Sequence, residues 1–346
     1  MQNKFKLHYY RHPLTNFGDE LNGWMWERLA PGAWVDVASK SFCGIGTLID
    51  TTLPPAEYRV IFSSGVGYGP LPGRELLEKT RFACVRGPLS ARVLGLGSNL
   101  AVTDGAALLS FLPECQPLPE SERKGVVFMP HHLGMEDGQL EEACRLAGIE
   151  YLSPHDDSKS TVQRLRSAKL VIADAMHAAI VADTLRVPWV PVQTSSEINS
   201  FKWLDWTGSL DLPYNATRLP SSSALEAVRD VSLVLRAGNF AVRDATVDAA
   251  LAHYQRYQRA RLSSLWVPRR NIVAGLHKRV ARPLLRSELA APLVRKADRR
   301  ALERTAEALQ KSVSLPSYLS SHKVFDDRRF ELARRLAVET GQAVIL

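Results

Sequence analysis

His177 stands in the stretch Leu170-Val-Ile-Ala-Asp-Ala-Met-His-Ala-Ala-Ile-Val-Ala-Asp-Thr-Leu-Arg-Val-Pro-Trp-Val-Pro-Val192, which reads as strand, sharp turn, helix, strand. An imidazole titrates near neutrality and can give or take a proton during catalysis. The apolar run Leu170 to Ala173 suits a buried parallel strand, and the helix is expected from about Ala175 to Arg186, ended by Pro188. His177 then falls in the first helical turn, beside the carboxyl end of a strand, where open α/β sheets keep their ligands. Free N–H groups and the helix dipole favour an anion there. Asp174 is a good N-cap and could also orient the ring. On position alone, His177 reads equally as a polar residue at a helix start with no chemistry.

Other strand-to-helix junctions carry similar residues. Asn16-Phe-Gly-Asp-Glu-Leu-Asn22 follows a first strand, Phe5 to Tyr10; Asn16 and Asp19 are turn and cap, or a loop over a ligand. Strand Arg59 to Phe62 runs into Ser63-Ser-Gly-Val-Gly-Tyr-Gly69, where Ser64 and Gly65 could offer a hydroxyl and N–H groups to a phosphate or carboxylate. That loop lacks the Gly-Lys-Ser/Thr of a Walker A loop, and glycines after strands are often only turns. Arg86, in Val85-Arg-Gly-Pro-Leu-Ser90, sits at a strand's end before a proline suited to a first helical position. It is either an ion-pair partner or an anion clamp. Asp104 occupies another junction, in Val102-Thr-Asp-Gly-Ala106. His131 and His132 follow strand Gly125 to Met129; no third ligand is evident, so a polar cleft is expected rather than a metal site.

These junctions require α/β halves to hold them. The chain has 346 residues, more than one core comfortably supports. Pro113 to Lys124, rich in Pro, Glu and Ser, reads as a linker. The expected units are an N-terminal Rossmann-like domain (1–115), a second one (124–222) and a helical, basic C-terminal region (223–346). Helices over Glu136 to Ala147 and Ser160 to Ala168, with a strand at Ile149 to Leu152, fill the second half. Trp203 and Trp206 read better as packing residues than as a platform for a sugar ring.

Composition is that of a soluble globular protein, with 45% hydrophobic and 23% charged residues. The start carries no apolar signal-peptide core, and Asp174, His177, Asp183 and Arg186 interrupt the longest apolar stretch, so no membrane span is expected. The four cysteines are far apart and form no metal spacing, which fits reduced thiols in a cytoplasm. The net charge of +8 is concentrated: fourteen Lys or Arg and three acids lie between His253 and Arg304. Such a block points to an anionic membrane surface or nucleic acid. No nucleic-acid-binding motif accompanies it. The stretch Ile272 to Arg286 is basic and amphipathic, as helices lying on anionic membranes are, and reads equally as a solvated helix face.

Taken together, the Asn16, Ser63, Val85, Thr103-Asp104, Met129-Pro-His131 and Ala175-Met-His-Ala-Ala-Ile180 pieces, with Gly44-Ile-Gly-Thr-Leu48, resemble the polysaccharide pyruvyltransferase family. The likeness is to the bacterial ketal pyruvyltransferases of succinoglycan and xanthan assembly, and it covers roughly the first 200 residues. It implies two Rossmann-like domains in a glycosyltransferase-B-like arrangement with the site in the cleft between them. It implies phosphoenolpyruvate as donor, a lipid-linked exopolysaccharide unit as acceptor, and no cofactor or metal. The family's Arg-Leu-His is here Ala175-Met176-His177, so one expected arginine is missing. His177 and Arg86 are the implied catalytic residues; Asn16, Asp19, Ser64, Gly65, Asp104, His131 and Asp174 are the implied binding residues. The resemblance does not reach the basic block at residues 254–304, whose own composition sets the expected location: peripheral, at the cytoplasmic face of the cell membrane. A nucleotide-sugar glycosyltransferase of the same architecture is the alternative.

Overall fold

Short apolar runs set between helices build two parallel sheets, because strands covered on both faces must be apolar nearly throughout. The structure, a computed structural model, describes residues 4–37, 39–135, 137–236, 239–242 and 245–342. Strands β1 (Lys6–His8), β2 (Lys40–Cys43), β3 (Tyr58–Phe62) and β4 (Thr80–Cys84) form a four-stranded parallel sheet in that order. Strands β5 (Val126–Met129), β6 (Glu150–Tyr151), β7 (Leu170–Ala173), β8 (Trp189–Gln193) and β9 (Thr217–Arg218) form a second, in the order β6-β5-β7-β8-β9. In this second sheet the chain leaves β5 for one neighbour, β6, and returns to the other, β7. The crevice at the carboxyl ends of β5 and β7 is therefore the switch point at which such sheets bind ligands. His131 follows β5, and Asp174 to His177 follow β7.

The structure moves several boundaries. The histidine helix is Met176–Thr184, and its N-cap is Ala175, with no side-chain cap, rather than Asp174. It stops before Arg186, which takes a left-handed φ of 58°. Asp19 does not cap either: it lies inside the short helix Phe17–Glu20. The helix expected from Glu136 begins at Leu140, and Glu136 itself lies outside the described residues. The helix expected over Ser160 to Ala168 runs Ser158–Ser167, because Asp157 caps it through Ser160 N.

The C-terminal helices are packed into both halves. Helix Ala291–Ser312 lies on helix Leu140–Ala147 and places Leu309 in the core of the second sheet. The chain then forms an antiparallel bridge between Tyr318 and Trp189. The last helix, His322–Thr340, returns to the first sheet: Arg335 donates to Ala83 O at 2.5 Å and to Asn99 O at 2.7 Å. Glu339 pairs with Arg81 at 2.7 Å. Trp203 and Trp206 are buried with Trp189 and Tyr214, so they serve packing. The four cysteines are buried and free.

Candidate active site

A cavity of about 500 Å³ opens at the carboxyl ends of the strands, with walls from both halves of the chain. The first half contributes Asn16 to Asp19, Gly46 to Leu48 and Tyr68. The second contributes His131, His132 and the turn Ala175 to His177. No side chain caps the helix that starts at Met176; Ala178 N donates to Ala175 O at 3.0 Å, and the N–H groups of Met176 and His177 are left for a ligand.

His177 is pressed against the backbone of Gly18, whose missing Cβ is what lets the ring in: a β-carbon there would overlap Nδ1 and Cγ. The other ring nitrogen, Nε2, is buried and lies 3.8 Å from Asp104 Oδ2. Neither atom has a hydrogen-bond partner among the described residues. The second oxygen of Asp104 accepts from Ala106 N at 3.0 Å and caps the 3-10 helix Gly105–Phe111. Burial raises the Asp104 carboxyl to about 6, although the Ala106 hydrogen bond and the charges of Arg86 and Lys202 oppose the rise. Asp19 is likewise raised to about 6 by burial, against the hydrogen bond it accepts from Asn16 at 2.5 Å. His177 is held down to about 3 by burial, then by the positive charges of Lys202 and Arg86, so its ring is neutral.

Lys202 is a residue that the sequence reading missed. It lies in the first turn of helix Ser200–Ser209, capped by Asn199, and points into the cavity from beyond β8. Burial lowers its ammonium to about 7, aided by Arg86 and opposed by Asp19 and Asp104. Its nitrogen sits 4.8 Å from the centre of the Tyr68 ring. Two carboxyls and an amine thus exchange protons close to neutral pH around one imidazole, the clustering expected of a reaction site. The C-terminal region was also missed as a source of wall: Phe240, between two helices, and Tyr257 and Arg270, on helices, line the cavity.

Four of the expected residues, Asn16, Asp19, His131 and His177, meet on the wall; the others lie behind it. Arg86 is fully buried, ion-paired to Asp205 at 3.0 Å, and donates to Val66 O at 3.1 Å. It approaches the cavity only through Thr47 Oγ1, at 3.4 Å. Gly65 packs on that guanidinium, which a β-carbon would displace, and Ser64 donates to Gly44 O. Asp174 braces the switch point instead of capping: it accepts from His131 N at 2.8 Å, Thr194 N at 2.9 Å and Thr194 Oγ1 at 2.7 Å. His131, held well below its ordinary pKa by burial, and His132, lowered to about 4, are neutral neighbours. Among the described residues no three His, Cys, Asp or Glu side chains group as metal ligands.

Comparison with known proteins finds a relative in bacterial polysaccharide assembly. The succinoglycan biosynthesis protein ExoV of Rhizobium meliloti (strain 1021) is 36% identical over 224 residues, covering 64% of this chain and 70% of that protein. No family model and no solved structure matches the chain.

Proposed function

The chain belongs to the family of the succinoglycan biosynthesis protein ExoV, and on that premise we propose that it is a ketal pyruvyltransferase of exopolysaccharide assembly. Its donor is phosphoenolpyruvate and its acceptor two hydroxyls of one sugar, on a repeat unit carried by a lipid at the inner face of the cell membrane. The two parallel sheets support two Rossmann-like halves, which we read as a glycosyltransferase-B-like arrangement. The observation that carries the reading is the grouping of His177, Asp104 and Lys202 at one uncapped helix start. It offers a cation and N–H groups to a small polyanion, and a proton relay beside them.

In the reaction, a proton adds to the methylene carbon of the donor and leaves the adjacent carbon electrophilic. One sugar hydroxyl adds to that carbon and loses its proton. The C–O bond to phosphate then breaks, and the second hydroxyl closes the ring, its proton leaving with inorganic phosphate. Lys202 and the N–H groups at Met176 and His177 hold the anionic groups. A bound polyanion offsets the cations that, after burial, hold the His177 pKa down, and draws a proton onto its ring. Asp104 takes or supplies the proton at Nε2, and the ring edge that carries Nδ1 packs on Gly18, itself a wall residue. Asp19, tied to Asn16, is placed to receive a hydroxyl proton.

Phosphoenolpyruvate and a nucleotide-sugar, offered against one acceptor, test this reading. The expected products are a ketal and inorganic phosphate, and His177→Gln should lower turnover by about a hundred- to ten-thousand-fold while donor affinity changes less. Release of nucleoside diphosphate from the nucleotide-sugar, with no phosphate from phosphoenolpyruvate, would assign the site to glycosyl transfer instead.

A further inference from the structure

Beyond the cavity, the basic helices leave an apolar ridge uncovered. Helix Trp266–Leu276 continues through a π-helical turn, His277–Ala281, into helix Arg282–Leu285. Along it Ile272, Leu276, Val280 and Leu284 are 64%, 58%, 56% and 57% exposed. Residues four apart on an α-helix drift by about 40° per step. The wider π turn takes back part of that drift, so the four side chains stay in one line. Leu289 and Leu293 extend the exposed apolar surface at 88% and 76%.

Cations flank this line. Lys278 and Arg279 are exposed beside it and form no ion pair with a described residue, while Arg282 and Arg286 tie the helix to the second half through Asp137, at 3.0 and 3.6 Å. The same helix reaches the reaction site from its other face. Arg270 lines the cavity, two positions before the exposed Ile272. An aromatic file runs from the cavity to the start of the ridge: Tyr68 to Phe240 at 5.0 Å, Phe240 to Tyr257 at 4.8 Å, and Tyr257 to Trp266 at 5.3 Å.

We propose that this ridge seats the protein on an anionic phospholipid surface and sets the aromatic side of the cavity mouth against the bilayer, so that a lipid-carried saccharide reaches the cavity from the membrane. The second half of this statement rests on the transferase reading above. An apolar line edged by uncompensated Lys and Arg is the pattern of a helix lying in the headgroup layer. A second copy of the chain fits the ridge less well, because a two-fold contact centred on it would bring Lys278 and Arg279 towards their own equivalents. No helix of the described residues is long and apolar enough to cross a membrane, so the attachment is to its surface.

The test uses the full chain and vesicles of phosphatidylcholine with or without phosphatidylglycerol, in a sedimentation assay that needs neither donor nor acceptor. The wild type is expected to bind the anionic vesicles and to be released by salt. Leu276→Asp combined with Val280→Asp should weaken binding by about ten-fold or more. Lys278→Gln combined with Arg279→Gln should weaken it by about five-fold per charge at low salt. All four side chains are exposed, so the variants should melt with the wild type and turn over a short soluble saccharide at its rate, while KM for a vesicle-borne acceptor rises. A wild type indifferent to anionic vesicles, or binding that both variants keep, overturns the membrane seat. So does a ridge that pairs two copies of the chain without binding vesicles. Vesicle binding lost on cue in a protein that releases no phosphate from phosphoenolpyruvate would uphold the seat and sink the transferase reading alone.

Discussion

Asp104 is fully buried; one oxygen accepts from Ala106 N, and the other faces His177 Nε2 at 3.8 Å without a hydrogen-bond partner among the described residues. Asparagine can keep the cap to Ala106, since Asn and Asp serve equally there. It removes only the charge and the proton. Burial raises the carboxyl from 3.8 to about 6, so folding the ionised form costs at most about 3 kcal/mol at neutral pH. Asp104→Asn should therefore stabilise the fold by about 1–3 kcal/mol, a rise of a few degrees in Tm. The sign is fixed by linkage. Below about pH 4 the carboxyl is protonated folded and unfolded, and the variant gains nothing. Between about pH 4 and 6 the folded state holds the proton that the unfolded state has lost, so the wild type loses stability as pH rises. Above that window the gap is constant. Turnover should fall about a hundred-fold or more, because Nε2 loses the group that exchanges a proton with it. Urea unfolding of both proteins across the window, with phosphate release measured at neutral pH, checks both halves. An asparagine variant that is less stable at pH 7, or one that turns over normally, would refute the reasoning.

Lys202→Met should raise KM for the donor about ten- to a hundred-fold by removing a charge-assisted contact, and Lys202→Arg, which cannot lose its proton, should abolish the fall in kcat/KM expected as pH rises past about 7. A Met variant with an unchanged KM would take Lys202 out of the donor site. Arg86→Ala should destabilise the protein by about 3–5 kcal/mol, because it strands Asp205 as a buried unpaired charge; urea denaturation at wild-type stability would show that the pair does not hold the two segments together.

The sheets and the strand-end junctions were legible because parallel strands buried on both faces read as apolar runs, and the turns at their carboxyl ends must face one side of the sheet. Asn16, Asp19, His131 and His177 reached the cavity wall for that reason. What local sequence could not supply was the partner of each charge. Asp174 carries the side chain of a cap, but Thr194, 20 residues on, and His131 N, 43 residues back, claim its oxygens. Arg86 stands at a strand's end, yet its guanidinium meets Asp205, 119 residues away, behind the wall. Lys202 follows an irregular loop in which no hydrophobic period marks a helix. The signal that could have found it is Asn199, an N-cap residue just beyond a strand and three positions before the lysine. The return of the last helix to the first sheet depends on Arg335 and Glu339 meeting Ala83, Asn99 and Arg81, contacts that no periodicity displays.

The electrostatics also give the proposed reaction an order. Burial, then the charges of Lys202 and Arg86, keeps the imidazole of His177 neutral, and burial keeps Asp19 and Asp104 near the edge of ionisation. Such a site has nothing to protonate and no strong acid with which to do it. A polyanionic donor changes the balance by offsetting the cations: it favours the charged forms of Lys202 and His177. Each of those effects loads a proton near the donor's own methylene carbon. The substrate thereby arms the acid that acts on it, and a saccharide arriving through the aromatic side of the mouth meets a donor already able to react. An acceptor bound alone carries no charge to offset Lys202, so it leaves His177 neutral and the site unarmed. The buried, mismatched charges that weaken the fold at Asp104 are thus what tie protonation to occupancy.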